Sequence, residues 1–395
     1  MTSRSAVPRY RAFTGPALFR QGFRPFFLAA GLWAAAAVPL WLAVLLSGLA
    51  VPTLFDPLAW HAHEMIFGFA AAVVAGFLLT AIPNWTGRLP LQGLPLAGLF
   101  LAWLAGRAAV STSAVIGAGP AAALDLAFLV LLLLVALREI VAGRNWRNLP
   151  LLLALLALIA ANALSHLEAA AVIDTGRLGA RLGIATLVLL ISLIGGRVIP
   201  SFTRNWLVKN GAATLPASFG GFDKLCLAAT LLALLGWVFA EAQPLAGAAL
   251  ILAGALNFVR LARWQGHRTL SEPLVWSLHL GFLWVPLGLA LLGLGIAAPD
   301  LLPTTAGLHA LTAGAIGGMT LAVMTRATLG HSGRELKADG LTTTIYLAVA
   351  TATGLRVAAS MAPEFYAPLL LASGAAWSLA FGLFAIVYGR IHLSA

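Results

Sequence analysis

The 395-residue chain has one cysteine, Cys226, and it lies inside an apolar run. That excludes an intramolecular disulfide and a cysteine-based metal cluster, and the residue reads as a small buried hydrophobe. Charge is scarce as well: 9% of residues are charged and 61% apolar. Long polar segments are missing; the longest, near 201–222 and 326–340, are connections with no room for a separate soluble domain. No small-residue cleavage site follows the first apolar run, which is too long for a signal-peptide core and reads as a retained helix. Acidic residues are few, 13 against 24 basic ones, for a net charge of +11. An excess of that size can mark a nucleic-acid binder, but only when it gathers in one patch.

What is present points to a polytopic membrane protein. A bilayer-spanning helix needs ~20 mostly apolar residues. Twelve such runs occur, at about 26–49, 61–83, 94–114, 119–138, 149–167, 182–200, 223–241, 244–261, 274–296, 304–325, 341–361 and 366–389. They predict an all-α transmembrane domain over residues 26–390, with tails 1–25 and 391–395. Twenty of the basic residues fall on one side of the membrane in this arrangement, leaving Arg107, Arg177, Arg181 and Arg356 elsewhere. The positive-inside rule then puts both termini in the cytoplasm and accounts for the charge without nucleic acid.

Ionisable groups inside apolar helices are costly and read first as functional. The segment Trp60-His61-Ala62-His63-Glu64-Met65 opens the second run on the outer side. His61 and His63 differ by two positions, or ~200° on a helix, so they face different neighbours. His166, beside Glu168, ends the fifth run on the same side, and His309 begins the tenth. His279 lies near the cytoplasmic end of the ninth run and His331 in the loop after the tenth; His267 and His392 read as solvated loop and tail residues. His309 and His331 would be ~33 Å apart along a helix, so they share one metal only if the chain folds back. Glu64 can orient an imidazole or carry a proton. Arg107 and Asp125 sit at similar depth on two helices joined by a short loop, which suits an ion pair or, for the arginine, a ligand carboxylate.

The second and tenth runs echo each other at a constant offset of 246 positions: His63, Gly68 and Gly87-Arg88 answer to His309, Gly314 and Gly333-Arg334. The sixth run ends in a similar stretch but has no histidine. Echoes four spans apart suggest three pseudo-threefold-related four-helix units, which would set His63 opposite His309 as an axial pair for haem iron. His61, with His166, would then suit copper.

Several segments together resemble one family. They are Leu18 to Phe27, His61 to Phe69, Gly76 to Gly87, Gly196 to Trp206 and His309 to Arg334. In that order they are similar to the NnrS family over essentially the whole chain. The resemblance implies a bacterial inner-membrane protein with haem b, one or two, and copper, linked to denitrification and nitric oxide tolerance. It implies metal-ligand roles for His61 or His63, His279, His309 and His331; we add His166 as a metal candidate and Arg197 and Arg326 as cofactor contacts. Which histidine takes which cofactor stays open.

Three functions follow as expectations. One is a quinol-dependent reduction of nitric oxide to nitrous oxide, with a twelve-span plan like that of haem–copper oxidases and Glu64 carrying protons. A second is haem-based binding of nitric oxide without turnover. A third is transport of a metal, haem or small anion, drawing on Arg107, Asp125 and Arg356.

Overall fold

The computed structural model describes residues 13–394, and among these all regular structure is helical. Twelve helices are long and apolar enough to cross a membrane: α1 (Phe23–Ser47), α2 (Pro57–Thr86), α3 (Leu94–Ser111), α4 (Ala118–Ala142), α5 (Trp146–Ala169), α6 (Leu178–Lys209), α7 (Gly221–Phe239), α8 (Pro244–Ala262), α9 (Pro273–Ala297), α10 (Thr304–His331), α11 (Gly340–Met361) and α12 (Pro363–Leu393). In hydrocarbon every backbone polar group needs an internal partner, and a helix supplies one within its own segment. Leu32, Leu101, Leu153, Leu232 and Ile386 stand exposed on these helices, as lipid-facing side chains do.

The helices outrun the apolar runs that announce them. Asp56 accepts from the backbone N–H groups of Leu58 and Ala59, both at 2.9 Å, and Pro57 follows, so α2 begins at Pro57 rather than 61. Gly87, at φ 70°, ends α2 in the left-handed region where a glycine carries no Cβ penalty. The largest revision is at α10. Its helix continues to His331, so that histidine is the last helical residue and not part of the loop. His392 is also revised: it lies within α12 and is fully buried, packed edge-on against Phe23. His267 is exposed in a short turn, as expected.

Two of the basic residues counted as flanking loops are buried inside helices. Arg24 is buried in α1, and its guanidinium donates to the carbonyls of His392 at 3.2 Å and Ser394 at 2.6 Å, closing the end of α12. Arg260 is buried in α8, where it donates to Asp223 of α7 at 2.9 Å and to the Ser192 carbonyl of α6 at 3.1 Å.

The chain packs as two compact units. One takes residues up to Gly183 and from Ala385; the other is Ile184–Phe384. In the first, Phe23, Phe26 and Phe27 of α1 are fully buried, with Gly76 of α2 giving Phe27 room. In the second, α9 is central: Leu278, Phe282, Val285 and Leu289 have no exposure. Both α2 and α10 contain a wider π-helical stretch, Glu64–Ala70 and Ala310–Gly317. Each begins directly after the histidine of the sequence echo, so the 246-residue offset has a backbone counterpart. Such stretches often accompany functional sites. α6 has none.

Candidate metal centre

Four helices of the first unit bring six polar side chains together in its interior. α2 supplies His63 and Glu64, α3 supplies Arg107, α4 supplies Asp125, and α5 supplies Asn162 and His166; all six are buried. The π-helical stretch starts at Glu64, so the turn that carries the pair is re-aimed relative to a regular helix.

Asp125 is the hub. Its Oδ1 accepts from Arg107, while its Oδ2 accepts from Asn162 Nδ2 at 2.8 Å and lies 3.0 Å from His166 Nε2 and 3.2 Å from His63 Nε2. His63 Nδ1 faces Glu64 Oε1 at 3.2 Å, and its Nε2 faces Asn162 Oδ1 at 2.9 Å. Arg107 also donates to Glu64 Oε1 at 2.6 Å. The rings of Phe55 and Phe67 stand 4.8 Å and 5.0 Å from His63 and close the cluster from water.

Charge and proton counting agree on what this arrangement needs. Two carboxylates against one guanidinium leave an unbalanced negative charge in a place where that is costly. His63 meets oxygen acceptors on both nitrogens, yet a neutral imidazole has one N–H to give. One more positive charge satisfies both demands: a second proton on His63, or a cation held at Nε2. Ligand atoms of His63, Asp125 and His166 lie within 4.8 Å of one another, a donor set of two imidazoles and one carboxylate. That set suits copper, zinc or iron.

Glu64 has more to offer. Its Oε2 is buried and accepts no hydrogen bond among the described residues. It points to Gly68, where a Cβ would stand 2.7 Å from both that oxygen and Trp33 Nε1. Glu64 is thus fully buried and half engaged, not a group at the membrane surface.

The family model for the NnrS protein matches residues 17–395. The chain belongs to the NnrS family. A search of curated proteins finds no match. NnrS membership agrees with a membrane protein linked to nitric oxide and associated with haem or metal.

The other NnrS candidates have surroundings of their own. His61 is stacked on Trp41 of α1, its ring centroid 4.1 Å away. His309 is half-buried in the second unit, with Nδ1 2.8 Å from the Thr305 carbonyl of its own helix. Arg197 is exposed beside Phe219, and Arg326 lies over the Phe202 ring at 3.9 Å. His331 is half-buried at the end of α10. His279 is buried, with Nε2 2.8 Å from Thr203 Oγ1. Thr203 donates its own proton to the Ile199 carbonyl at 2.9 Å, so it accepts from His279 Nε2–H, and Nδ1 keeps its lone pair. Nδ1 has no partner among the described residues. That leaves one axial donor for haem. Gly266 lies against the same ring so closely that a Cβ there would collide with it, so a tetrapyrrole at Nδ1 requires the Gly266–Thr269 turn to move. The residues present fit a small cation at His63, Asp125 and His166, and do not form a haem slot at His279.

Asn162 is the site residue that sequence reading passed over. Its signal was present: Asn162 and His166 are one turn apart and share a face of α5.

Proposed function

We propose that this NnrS protein reduces nitric oxide with electrons from a membrane quinol, and that His63, Asp125 and His166 hold a redox-active ion, copper for preference. The observation that carries this reading is the buried donor set with one positive charge lacking. The overall reaction balances: two nitric oxide and one quinol give nitrous oxide, water and quinone. A bound ion would supply electron transfer and a meeting point for the two nitrogen atoms.

The protein groups have separate tasks. Arg107 takes Oδ1 of Asp125, which turns Oδ2 toward the two imidazoles. Asn162 donates from Nδ2 to Asp125 Oδ2 at 2.8 Å and so helps orient the carboxylate. Glu64 holds His63 Nδ1 with one oxygen and has the other oxygen in reserve to accept and pass on a proton. The Phe55 and Phe67 rings keep bulk water away from the donor set. The twelve apolar helices and the basic side of the chain support a bacterial inner-membrane location with both termini in the cytoplasm.

Metal analysis combined with nitrous oxide measurement tests the reading. His166→Ala is expected to lose the ion, and Glu64→Gln to keep the ion while losing turnover. Metal-replete wild-type protein that forms no nitrous oxide when quinol is supplied would overturn catalysis and leave binding of nitric oxide in its place.

A further inference from the structure

Four basic residues fall away from the basic side of the chain, and protein partners account for three of them. Arg107 binds Glu64 and Asp125, Arg177 stands 3.5 Å from Asp56, and Arg181 donates to the Gly176 carbonyl at 2.6 Å. Arg356 of α11 is the fourth, and it makes no ion pair among the described residues. Its Nη1 donates to Ser360 Oγ at 3.2 Å, and its guanidinium carbon stands 5.8 Å from the centre of the Tyr366 ring. Ser360 hands its own proton to the Arg356 carbonyl at 3.3 Å and brings no charge. Glu364, the one carboxylate on the turn from α11 to α12, is exposed and does not pair with Arg356 among the described residues.

Arg356 is partly buried inside a helix long and apolar enough to span a bilayer, where an unpaired guanidinium is costly. Its depth shows how that cost can be met. It precedes the last residue of α11, Met361, by ~7.5 Å along the helix axis. An arginine stem covers such a distance by snorkelling toward the interface. Met361, Phe365 and Tyr366 are exposed at the same end, the apolar and aromatic girdle expected at headgroup level. The guanidinium therefore reaches the layer in which lipid phosphates lie.

We propose that Arg356 binds the phosphate of an anionic phospholipid at the turn between α11 and α12. Guanidinium and phosphate match through two parallel N–H···O bonds. With Nη1 turned to Ser360, Nε and Nη2 remain, and these two share the edge that such a pair of bonds uses. Water can solvate that edge but supplies no charge. Phosphatidylglycerol brings the one negative charge that is missing, whereas a zwitterionic lipid carries a second cation to the same place. The site owes nothing to the metal centre or to nitric oxide, and it gives Arg356 a task other than holding a transported anion.

Full-length protein in phosphatidylcholine nanodiscs, doped with phosphatidylglycerol that carries a photoreactive headgroup, tests this after photolysis and peptide mapping. Label is expected at the end of α11 or the start of α12, and also on the basic turns at the opposite face. Arg356→Gln is expected to cut the label at the α11–α12 turn about tenfold or more, as for a lost charge-assisted hydrogen bond. Label on the basic turns should not change, which separates loss of the site from loss of the fold. Arg356→Lys keeps the charge without the fork and is expected to retain part of the label. Unlabelled phosphatidylglycerol should compete, and inorganic phosphate in excess should not. Equal labelling of Arg356→Gln and wild type at this turn would overturn the site. So would equal labelling there by a photoreactive phosphatidylcholine, and displacement by inorganic phosphate would replace the lipid with a free anion. If Arg356→Gln fails to fold, the position of the label in wild type decides, and label absent from the α11–α12 turn would overturn the proposal.

Discussion

Arg107 holds Glu64 and Asp125 at once, so its loss strands two carboxylates in a buried place. Removing one partner of a buried ion pair costs about 3–5 kcal/mol. Arg107→Met is therefore expected to lower stability by about that amount. In a Glu64→Gln background the same change strands only Asp125 and should cost less, with a coupling of roughly 0.5–3 kcal/mol between the two sites. Thermal unfolding in detergent measures both, and equal losses in the two backgrounds would refute the charge balance. The parts of this site were partly legible from residue type and depth. His63, His166 and the Arg107–Asp125 pair each stood out as polar groups in apolar runs. Their meeting on one aspartate was not legible, because adjacency between α2, α3, α4 and α5 leaves no spacing in any one helix. Asn162 escaped because an amide carries no charge to draw attention.

The helices show where hydropathy stops being a guide. A span ends in the sequence where apolar residues run out, but backbone hydrogen bonding continues until a cap intervenes. α6 runs on to Lys209 and α10 to His331 through polar residues for that reason, and the second move took His331 out of a supposed loop. Caps give local tests. Asp339 opens α11 by accepting from the Thr342 N–H at 2.7 Å, and this bond lowers its pKa below the ordinary aspartate value. A depressed carboxylate stabilises above its unfolded pKa of about 3.9 and loses that contribution as pH falls through the folded value. The protection of the amides near residues 340–343, relative to their intrinsic exchange, should therefore fall only below about pH 4, and Asp339→Ala should abolish that dependence at a cost of about 0.5–2 kcal/mol. The π-helical stretch in α2 gives another test. Gly68→Ala places a methyl 2.7 Å from Glu64 Oε2 and Trp33 Nε1, and should destabilise by about 1–3 kcal/mol. Gly354→Ala in α11 meets nothing within 4 Å and should gain about 0.5–1 kcal/mol of helix stability. Similar unfolding temperatures for the two variants would mean that Gly68 is not a close-contact position.

At the level of the whole molecule, the charge count and the packing draw on the same arginines for different purposes. Arg24 and Arg260 were counted as loop charges, yet they brace helices from inside. The exposed turns after α4 and α10 still hold Arg144 and Arg334 on the basic side without them. Those turns, together with the one after α5, fix what must be measured. Five helices, α6 to α10, separate the turn at Val172 from the turn at Leu336, and an odd number of crossings puts them on opposite faces. Both side chains are exposed, so either can be replaced by cysteine without disturbing a core. The chain's one natural thiol, Cys226, is fully buried, and Cys226→Ala gives a clean background. In intact spheroplasts a membrane-impermeant maleimide is expected to label Val172→Cys, and to reach Leu336→Cys or Arg144→Cys only after permeabilisation. Labelling of Val172→Cys and Leu336→Cys from the same side would require one of the five helices not to cross. Labelling with the two faces exchanged would put the end of α2 that carries His63 and Glu64 toward the cytoplasm, and the proton for the proposed nitric oxide reduction would then be drawn from that side.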